Sequence, residues 1–327
     1  MLPDDVIATL EKKYRPSTIK TMSNNIKRIF KDALKKEEYD TKDLYEIDKI
    51  KPYLWEQGIG MRKTLIANIL GLLKLQKKPK TPKKILTKWE KYFDDVCKEY
   101  ADKSKYREST EKEIENHMPM EEIRRIRDTY GEGVEKIEKR DKKYEPLRPS
   151  DMITYEKWIV LQLYTTLPPL RSEDYYKMLM TVSKKENYVN LKTKVMYIKV
   201  YKTSKTYGTR KIKLTKELTD ILKGWEKIQR EYNPELEQVY LMPNVKSKLT
   251  KPQSQQSFTD MLNRIFWPKK ISSSMLRKIY ISELIDKELT PDERKKITKI
   301  MGHSLEMQEF IYSRFSKRVH KPLKIKL

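Results

Sequence analysis

The sequence has very little cysteine and histidine for its length. Among 327 residues there are one cysteine and 3 histidines. A single thiol, Cys97, excludes an internal disulfide and a thiolate metal cluster. With only His117, His303 and His320 as imidazole ligands, the sequence predicts no zinc site. We therefore expect a protein that uses no metal, no other cofactor and no small-molecule substrate.

Long apolar runs are also missing. No segment approaches the roughly 18 consecutive apolar residues that a membrane-spanning helix needs. The first residues (MLPDDVIATLEKKY) lack the apolar stretch of a secretory signal. These two absences favour an intracellular protein with no membrane partner.

Positive charge is abundant. The chain has 72 Lys and Arg against 47 Asp and Glu, a formal net charge of +25. A positive field of this size favours a polyanionic partner, and DNA or RNA is the first candidate. The alternative is a lysine-rich proteome, in which high net charge carries no information about partners.

Composition divides the chain into three parts, 1–80, 81–146 and 147–327. In the first part, apolar residues at three- and four-residue steps predict helices over 16–30 and 61–75. A Lys- and Pro-rich stretch over 77–84 predicts a linker, and the charged segment 81–146 is either a long connector or an added helical layer. The glycines of Tyr130–Gly131–Glu132–Gly133 predict a break within it.

The third part mixes helix with a little strand. An apolar helix is predicted over 155–167, where Pro168 and Pro169 stop it. Segments 195–201 (VMYIKVY) and 211–214 (KIKL) have strand composition, and the basic stretch between them turns at Gly208. The prediction is a β-hairpin with a basic tip in a protein that is otherwise mainly α, an α+β fold with a small sheet.

Helix punctuation is sharpest near the C-terminus. Thr290, Pro291 and Glu293 form a capping-box pattern that starts a helix, and Gly302 is placed to end it in a left-handed conformation. His303 follows that turn at once, and a further helix is predicted over 305–315 with Tyr312 on it. Upstream, Arg277 lies in a helix predicted over 272–286, and Arg171 follows the double proline.

These residue types suit phosphoryl transfer without a metal. Guanidinium groups such as those of Arg171 and Arg277 can hold the oxygens of a phosphodiester and offset charge in the transition state. A tyrosine oxygen can attack phosphorus and keep the bond energy in a phosphotyrosine. A lysine at the hairpin tip can protonate the departing 5′ oxygen. Alone, Tyr312 is one of 21 tyrosines; it gains meaning from its place after Gly302 and His303.

The motifs resemble those of the tyrosine recombinases, the integrase family of phages, mobile elements and viruses. They read PPLRSEDY around Arg171, YKTSKTYGTRKIKL around Lys205, SSSMLRKIYIS around Arg277, and MGHSLEMQEFIY for His303 and Tyr312. The motif around Arg171 is most similar to those of recombinases from virophages and large eukaryotic DNA viruses. The resemblance implies a helical core-binding domain over 1–80, a catalytic domain with a C-terminal tail over 147–327, and action on DNA in a host nucleus or viral factory.

One position departs from the family pattern, and another is ambiguous. Ser274 stands where the family's His-x-x-Arg box usually has histidine; its hydroxyl can donate a hydrogen bond to phosphate but is no acid or base near neutral pH. The family's hairpin lysine matches Lys205 better than Lys202, and both lie near the tip.

The resemblance implies a site-specific recombinase or integrase that breaks and rejoins DNA through a 3′-phosphotyrosyl intermediate, without metal or ATP, as a tetramer on two duplexes. Its expected catalytic residues are Tyr312, Arg171, Arg277, His303, Lys205 and Ser274. Two alternatives stay open: a type IB topoisomerase-like enzyme, and a DNA-binding protein of the same fold with impaired catalysis, which the serine at position 274 favours.

Overall fold

A computed structural model of the chain describes residues 2–75, 80–105, 109–287 and 289–308. The described residues are mainly helical, with one small antiparallel sheet, so the predicted fold class is confirmed. The chain divides into two compact units, Met1–Arg107 and Glu108–Leu327. No helix among the described residues is long and apolar enough to cross a bilayer.

The first unit is a helical body with its own apolar core. Its helices are α1 (Asp4–Glu11), α2 (Pro16–Arg28), α3 (Ile47–Glu56), α4 (Ile59–Leu75) and α5 (Lys83–Lys105). A π-helical turn (Ile29–Ala33) extends α2, and a 3₁₀ turn (Thr41–Tyr45) precedes α3. The fully buried Trp89 of α5 donates its indole N–H to the carbonyl of Leu44 at 3.0 Å. This bond fixes α5 on the body that the preceding helices form.

The second unit packs helices around the sheet. The helices are α6 (Glu111–Glu115), α7 (Met120–Lys139), α8 (Pro149–Thr166), α9 (Ser172–Tyr175), α10 (Ser204–Tyr207), α11 (Lys216–Tyr232), α12 (Gln255–Ile265), α13 (Ser273–Asp286), α14 (Pro291–Met301) and α15 (Leu305–Met307). The strands are β1 (Tyr188–Asn190), β2 (Val195–Ile198) and β3 (Arg210–Lys213). A 3₁₀ turn (Val245–Ser247) precedes α12. One apolar cluster runs from α7 to α13 and forms the core.

The unit boundary falls between the boundaries expected from composition. Helix α5 packs against α4 in the first unit, and α7 packs against α8 in the second. The charged segment 81–146 is therefore shared between the two units. Its composition did not indicate this, because the apolar residues that anchor each helix are widely spaced.

The predicted break at residues 130–133 is wrong, because α7 runs through it without interruption. A Cβ at Gly131 would lie 3.0 Å from Nε1 of Trp158, and one at Gly133 would lie 3.4 Å from Cγ2 of Thr154. Both glycines face α8. At Gly131 the absence of a side chain allows the close approach of the two helices, whereas Gly133 leaves room for a methyl group. Neither glycine ends the helix.

The predicted hairpin is present with two differences. Strands β2 and β3 pair antiparallel, with Met196 opposite Ile212, and β1 adds a strand that the sequence did not predict. The tip is not a simple turn, because residues 204–207 form the single helical turn α10 between the strands. Gly208 ends that turn at φ 63°, ψ −159°, a region essentially restricted to glycine.

Candidate active site

The candidate site is built around the Gly302–His303 turn. Thr290 caps α14 through Glu293, as predicted, and Gly302 ends the helix in the left-handed conformation at φ 67°. The amides of Gly302 and His303 both donate to the Thr298 carbonyl, at 2.8 and 3.2 Å. A Cβ at position 302 would lie 3.1 Å from Nη1 of Arg210. Glycine is therefore needed both for its backbone angles and for space.

Arg277 holds this turn from α13. Its guanidinium donates to the carbonyl of Pro169 at 2.7 Å and to that of Met301 at 3.1 Å. The residue is 1% exposed, so its charge lies in a medium of low dielectric. These bonds link the double-proline segment and the end of α14 to one buried cation. In this conformation Arg277 acts on the site through its charge and by fixing the turn.

His303 lies against Arg277 and is held neutral. Its Nδ1 is 3.1 Å from Nη2 of Arg277. A guanidinium can only donate, so this contact is a hydrogen bond in the tautomer that carries the ring proton on Nε2. Burial, with the charges of Arg277 and Arg171 acting in the same direction, lowers the pKa of His303 to about 3. Near neutral pH, the His303 imidazole is therefore uncharged.

Arg171 approaches the same turn from the start of α9. Both of its terminal nitrogens lie near the Gly302 carbonyl, at 3.5 and 3.4 Å, and its side chain is partly exposed. Arg171 and Arg277, which are far apart in sequence, are thus brought to one turn. The bonds named for them go to neutral carbonyls and to a neutral imidazole. Such acceptors position a guanidinium without cancelling its charge.

Two further residues of the site, Arg210 and Asp174, were missed by sequence reasoning. Arg210 of β3 donates to the Ile300 carbonyl at 2.5 Å and to the carboxylate of Asp174 at 3.2 Å, and its guanidinium lies 3.8 Å from the ring centroid of Tyr201. Asp174 also accepts from the backbone amide of Arg171 at 3.2 Å. Burial raises the pKa of Asp174, against the effect of Arg210. The alternation of β3 indicates that Arg210 shares the inward face with Ile212 and therefore requires buried acceptors. It does not identify Asp174 as one of them.

We refer to these five residues around Gly302 as the turn cluster: Arg171, Asp174, Arg210, Arg277 and His303. All five side chains act within one unit of the chain.

The hairpin tip adjoins the turn cluster. Thr203 donates its hydroxyl to the Gly302 carbonyl at 3.5 Å, so the tip and the turn share an acceptor with Arg171. The backbone of Lys205 lies in α10, and Lys202 is exposed just before it. The tip is therefore close to where the predicted lysine is needed. The choice of Lys205 over Lys202 stays a prediction.

Ser274 is not one of the turn-cluster residues, and Tyr312 is not one of the residues that the structure describes. Ser274 is exposed in the first turn of α13 and lines a shallow depression of about 320 Å³ with Lys270 and Lys278. Its predicted hydrogen bond to phosphate stays a prediction. Tyr312 falls outside the described residues, as does most of the helix predicted over 305–315; α15 forms its described beginning.

Comparison with known proteins adds little to this geometry. No protein-family model and no curated protein sequence matches the chain. Among solved structures, the chain is similar to the crystal structure of XerA recombinase, with a TM-score of 0.43 and 10% sequence identity over 96% of this chain and 92% of that chain. The turn cluster, and not this similarity, is what bears on function.

Proposed function

We propose that this chain is a site-specific DNA recombinase that cuts and rejoins DNA through a covalent bond to Tyr312. The observation that carries the proposal is the turn cluster. Arg171, Arg277 and His303 come from three distant parts of the sequence, and the contacts named for them place cations and a neutral donor at one turn. A concentration of fixed positive charge with an N–H donor suits a phosphodiester in transfer.

Each residue has a distinct role in this proposal. Arg171 is the accessible arginine and would contact a non-bridging oxygen of the scissile phosphate. His303 would donate from Nε2 to the same phosphate. Arg277 would add positive potential from its buried position, where a charge acts strongly at short range. The hairpin-tip lysine, Lys205, would supply a proton.

The reaction would proceed in two linked transfers. The Tyr312 oxygen attacks phosphorus and loses its proton to water, a P–O bond to tyrosine forms, and the bond from phosphorus to the 5′ oxygen breaks. Lys205 gives a proton to that oxygen, which leaves as a free 5′ hydroxyl. The 3′-phosphotyrosine keeps the energy of the phosphodiester, so attack by a 5′ hydroxyl of another strand restores DNA without ATP.

The partner in this proposal is double-stranded DNA. A net charge of +25 suits a polyanion whose phosphates are bound chiefly by Lys and Arg. The helical unit Met1–Arg107 would act as a core-binding domain. Exchange between two duplexes needs four cleavages, and hence a tetramer in which each copy supplies one tyrosine. Ser274, in place of histidine, would bind phosphate without transferring a proton. The sequence motif around Arg171 favours a role in integrating viral or mobile-element DNA.

A nicked suicide duplex tests the proposal. A nick near the cleavage site lets the short cleaved strand diffuse away, which traps the covalent protein–DNA adduct. We expect wild-type protein to accumulate adduct and Tyr312→Phe to form none. Equally little adduct from both proteins, with binding intact, would instead support a DNA-binding protein of impaired catalysis.

Supercoiled plasmid separates the proposal from a topoisomerase. A type IB-like enzyme would relax plasmid without regard to sequence. A recombinase would give products only from plasmids that carry a pair of its sites. If plasmids of unrelated sequence are relaxed at the same rate, the chain acts as a topoisomerase and not as a recombinase. The role proposed for Tyr312 would be unchanged.

A further inference from the structure

The short helix α6 lies on the start of α13 and is held there by polar contacts. The carboxylate of Glu113 contacts the ammonium of Lys278, and the two side chains are only 20% and 14% exposed. The Glu115 carbonyl accepts from Nζ of Lys269 at 2.7 Å, and Oδ1 of Asn116 accepts from the amide of Lys270 at 2.5 Å. These contacts tie residues 113–116 to residues 269–278.

Apolar burial contributes little to this attachment. None of the residues of α6 is buried, and Ile114 is 61% exposed. The next anchors along the chain are the buried Met118 and Met120 at the start of α7. An element with few buried apolar contacts opens at a small fraction of the global unfolding free energy. Helix α6 can therefore leave α13 while α7 stays in place.

The surface beneath α6 suits a phosphate. The depression there is lined by Lys112 and Glu113 of α6 and, on the side that stays in place, by Lys270, Ser272, Ser274 and Lys278. Lys278 directly follows Arg277 of the turn cluster and shares a helix face with Ser274. A carboxylate and a phosphodiester each carry one negative charge, so one can replace the other on Lys278 without leaving that cation unpaired.

We propose that Glu113 occupies the place of a DNA backbone phosphate on Lys278, so that α6 must release α13 when the chain binds DNA. The contact lowers the affinity of the free chain for DNA, because a phosphate must displace the Glu113 carboxylate before it can pair with Lys278. This inference rests on the proposed function, because it takes DNA as the partner.

The substitution Glu113→Gln tests it with little damage to α6. Glu113 also accepts from the Thr110 amide at 3.0 Å as part of a capping box, and glutamine at this position keeps that bond. Glu115→Gln is the matched control, because it changes the net charge equally from an exposed position of the same helix. All variants carry Tyr312→Phe, so that only binding is measured.

Binding to a fluorescein-labelled DNA duplex of mixed sequence is followed by anisotropy. We expect Glu113→Gln to tighten binding about threefold to fivefold relative to Glu115→Gln, the size typical of removing one competing ion pair. In a Lys278→Gln background that gain should vanish. Hydrogen exchange of the α6 amides should become faster when DNA is added.

Equal affinities of Glu113→Gln and Glu115→Gln, or slower exchange of α6 on DNA, overturn the role of Glu113 and leave the proposed function standing. No duplex binding by any of the proteins overturns the proposed function itself, and the role of Glu113 with it.

Discussion

Arg277 and Lys278 are neighbours on α13, and their side chains differ in burial and in the charge of their partners. Arg277 is buried and donates to the carbonyls of Pro169 and Met301 and to His303, all neutral groups. Lys278 pairs with a carboxylate on a short helix that buries no apolar side chain. The first environment buries a guanidinium against neutral acceptors, and the second pairs an ammonium with a carboxylate. Helix α13 therefore carries a buried guanidinium, Arg277, next to an ammonium, Lys278, that is held by an ion pair.

In the turn cluster, Asp174→Ala is expected to have the largest effect on the unfolding free energy. The Asp174–Arg210 pair is almost fully buried, with side chains 0% and 3% exposed. Removing the carboxylate leaves Arg210 as a buried cation without its partner, which typically costs about 3–5 kcal/mol of unfolding free energy. Urea unfolding measures it, with the exposed Glu237→Ala as control. A loss below about 1 kcal/mol would mean that the pair does not hold the turn cluster together.

Arg171→Ala should slow cleavage without destabilising the fold. The guanidinium is partly exposed, and its hydrogen bonds to described residues are the two long contacts with the Gly302 carbonyl, so the unfolding free energy should change by less than about 1 kcal/mol. Loss of a transition-state donor should slow adduct formation on the nicked duplex about 100-fold to 1,000-fold. Arg171→Lys should restore part of the rate. Cleavage that stays within about twofold of wild type would remove Arg171 from the site.

Acid should weaken the turn cluster through His303. Burial and the nearby arginines lower its pKa to about 3 in the folded chain, from 6.5. Between these values the unfolded chain takes up a proton that the folded chain does not, so stability falls as pH falls, by about 1.4 kcal/mol for each pH unit. His303→Gln should lack this component. Parallel pH profiles of unfolding for the two proteins would contradict the buried, neutral imidazole.

The smallest effect concerns the hairpin tip. Gly208 has φ 63°, and no heavy atom of the described residues lies within 4 Å of the position that a Cβ would take there. Gly208→Ala therefore strains only the backbone, by about 1–3 kcal/mol. Gly133→Ala, inside α7, has ordinary contact at 3.4 Å and should stabilise the chain by up to about 1 kcal/mol. Thermal unfolding compares them. Equal shifts of the same sign would show that the conformation at Gly208 does not constrain the tip.

The parts of the site that were predictable from the sequence are those with local signals. Thr290 and Glu293 start α14 and Gly302 ends it, because caps and left-handed glycines act within a few residues. The Asp174–Arg210 pair was not predictable, because its partners meet only in the folded chain. The glycines of α7 were misread because their meaning lies in the surface of α8.

The hairpin tip shows how similar signals can favour two structures. A Ser/Thr cluster followed by glycine is typical of a turn, and it also starts and ends the helical turn α10. The amide of Gly208 donates to the Ser204 carbonyl at 2.9 Å, which closes that turn. Sequence composition predicted a basic hairpin tip but did not determine the backbone conformation of that tip.

The most direct test of the central claim is to identify the amino acid that becomes joined to DNA. Wild-type protein is trapped on a nicked suicide duplex, the adduct is digested with nuclease and protease, and the nucleotide-bearing peptide is sequenced by mass spectrometry. The account predicts a 3′-phosphate linked to the oxygen of Tyr312. A linkage to any other residue, or no linked peptide from protein that binds the duplex, would contradict it.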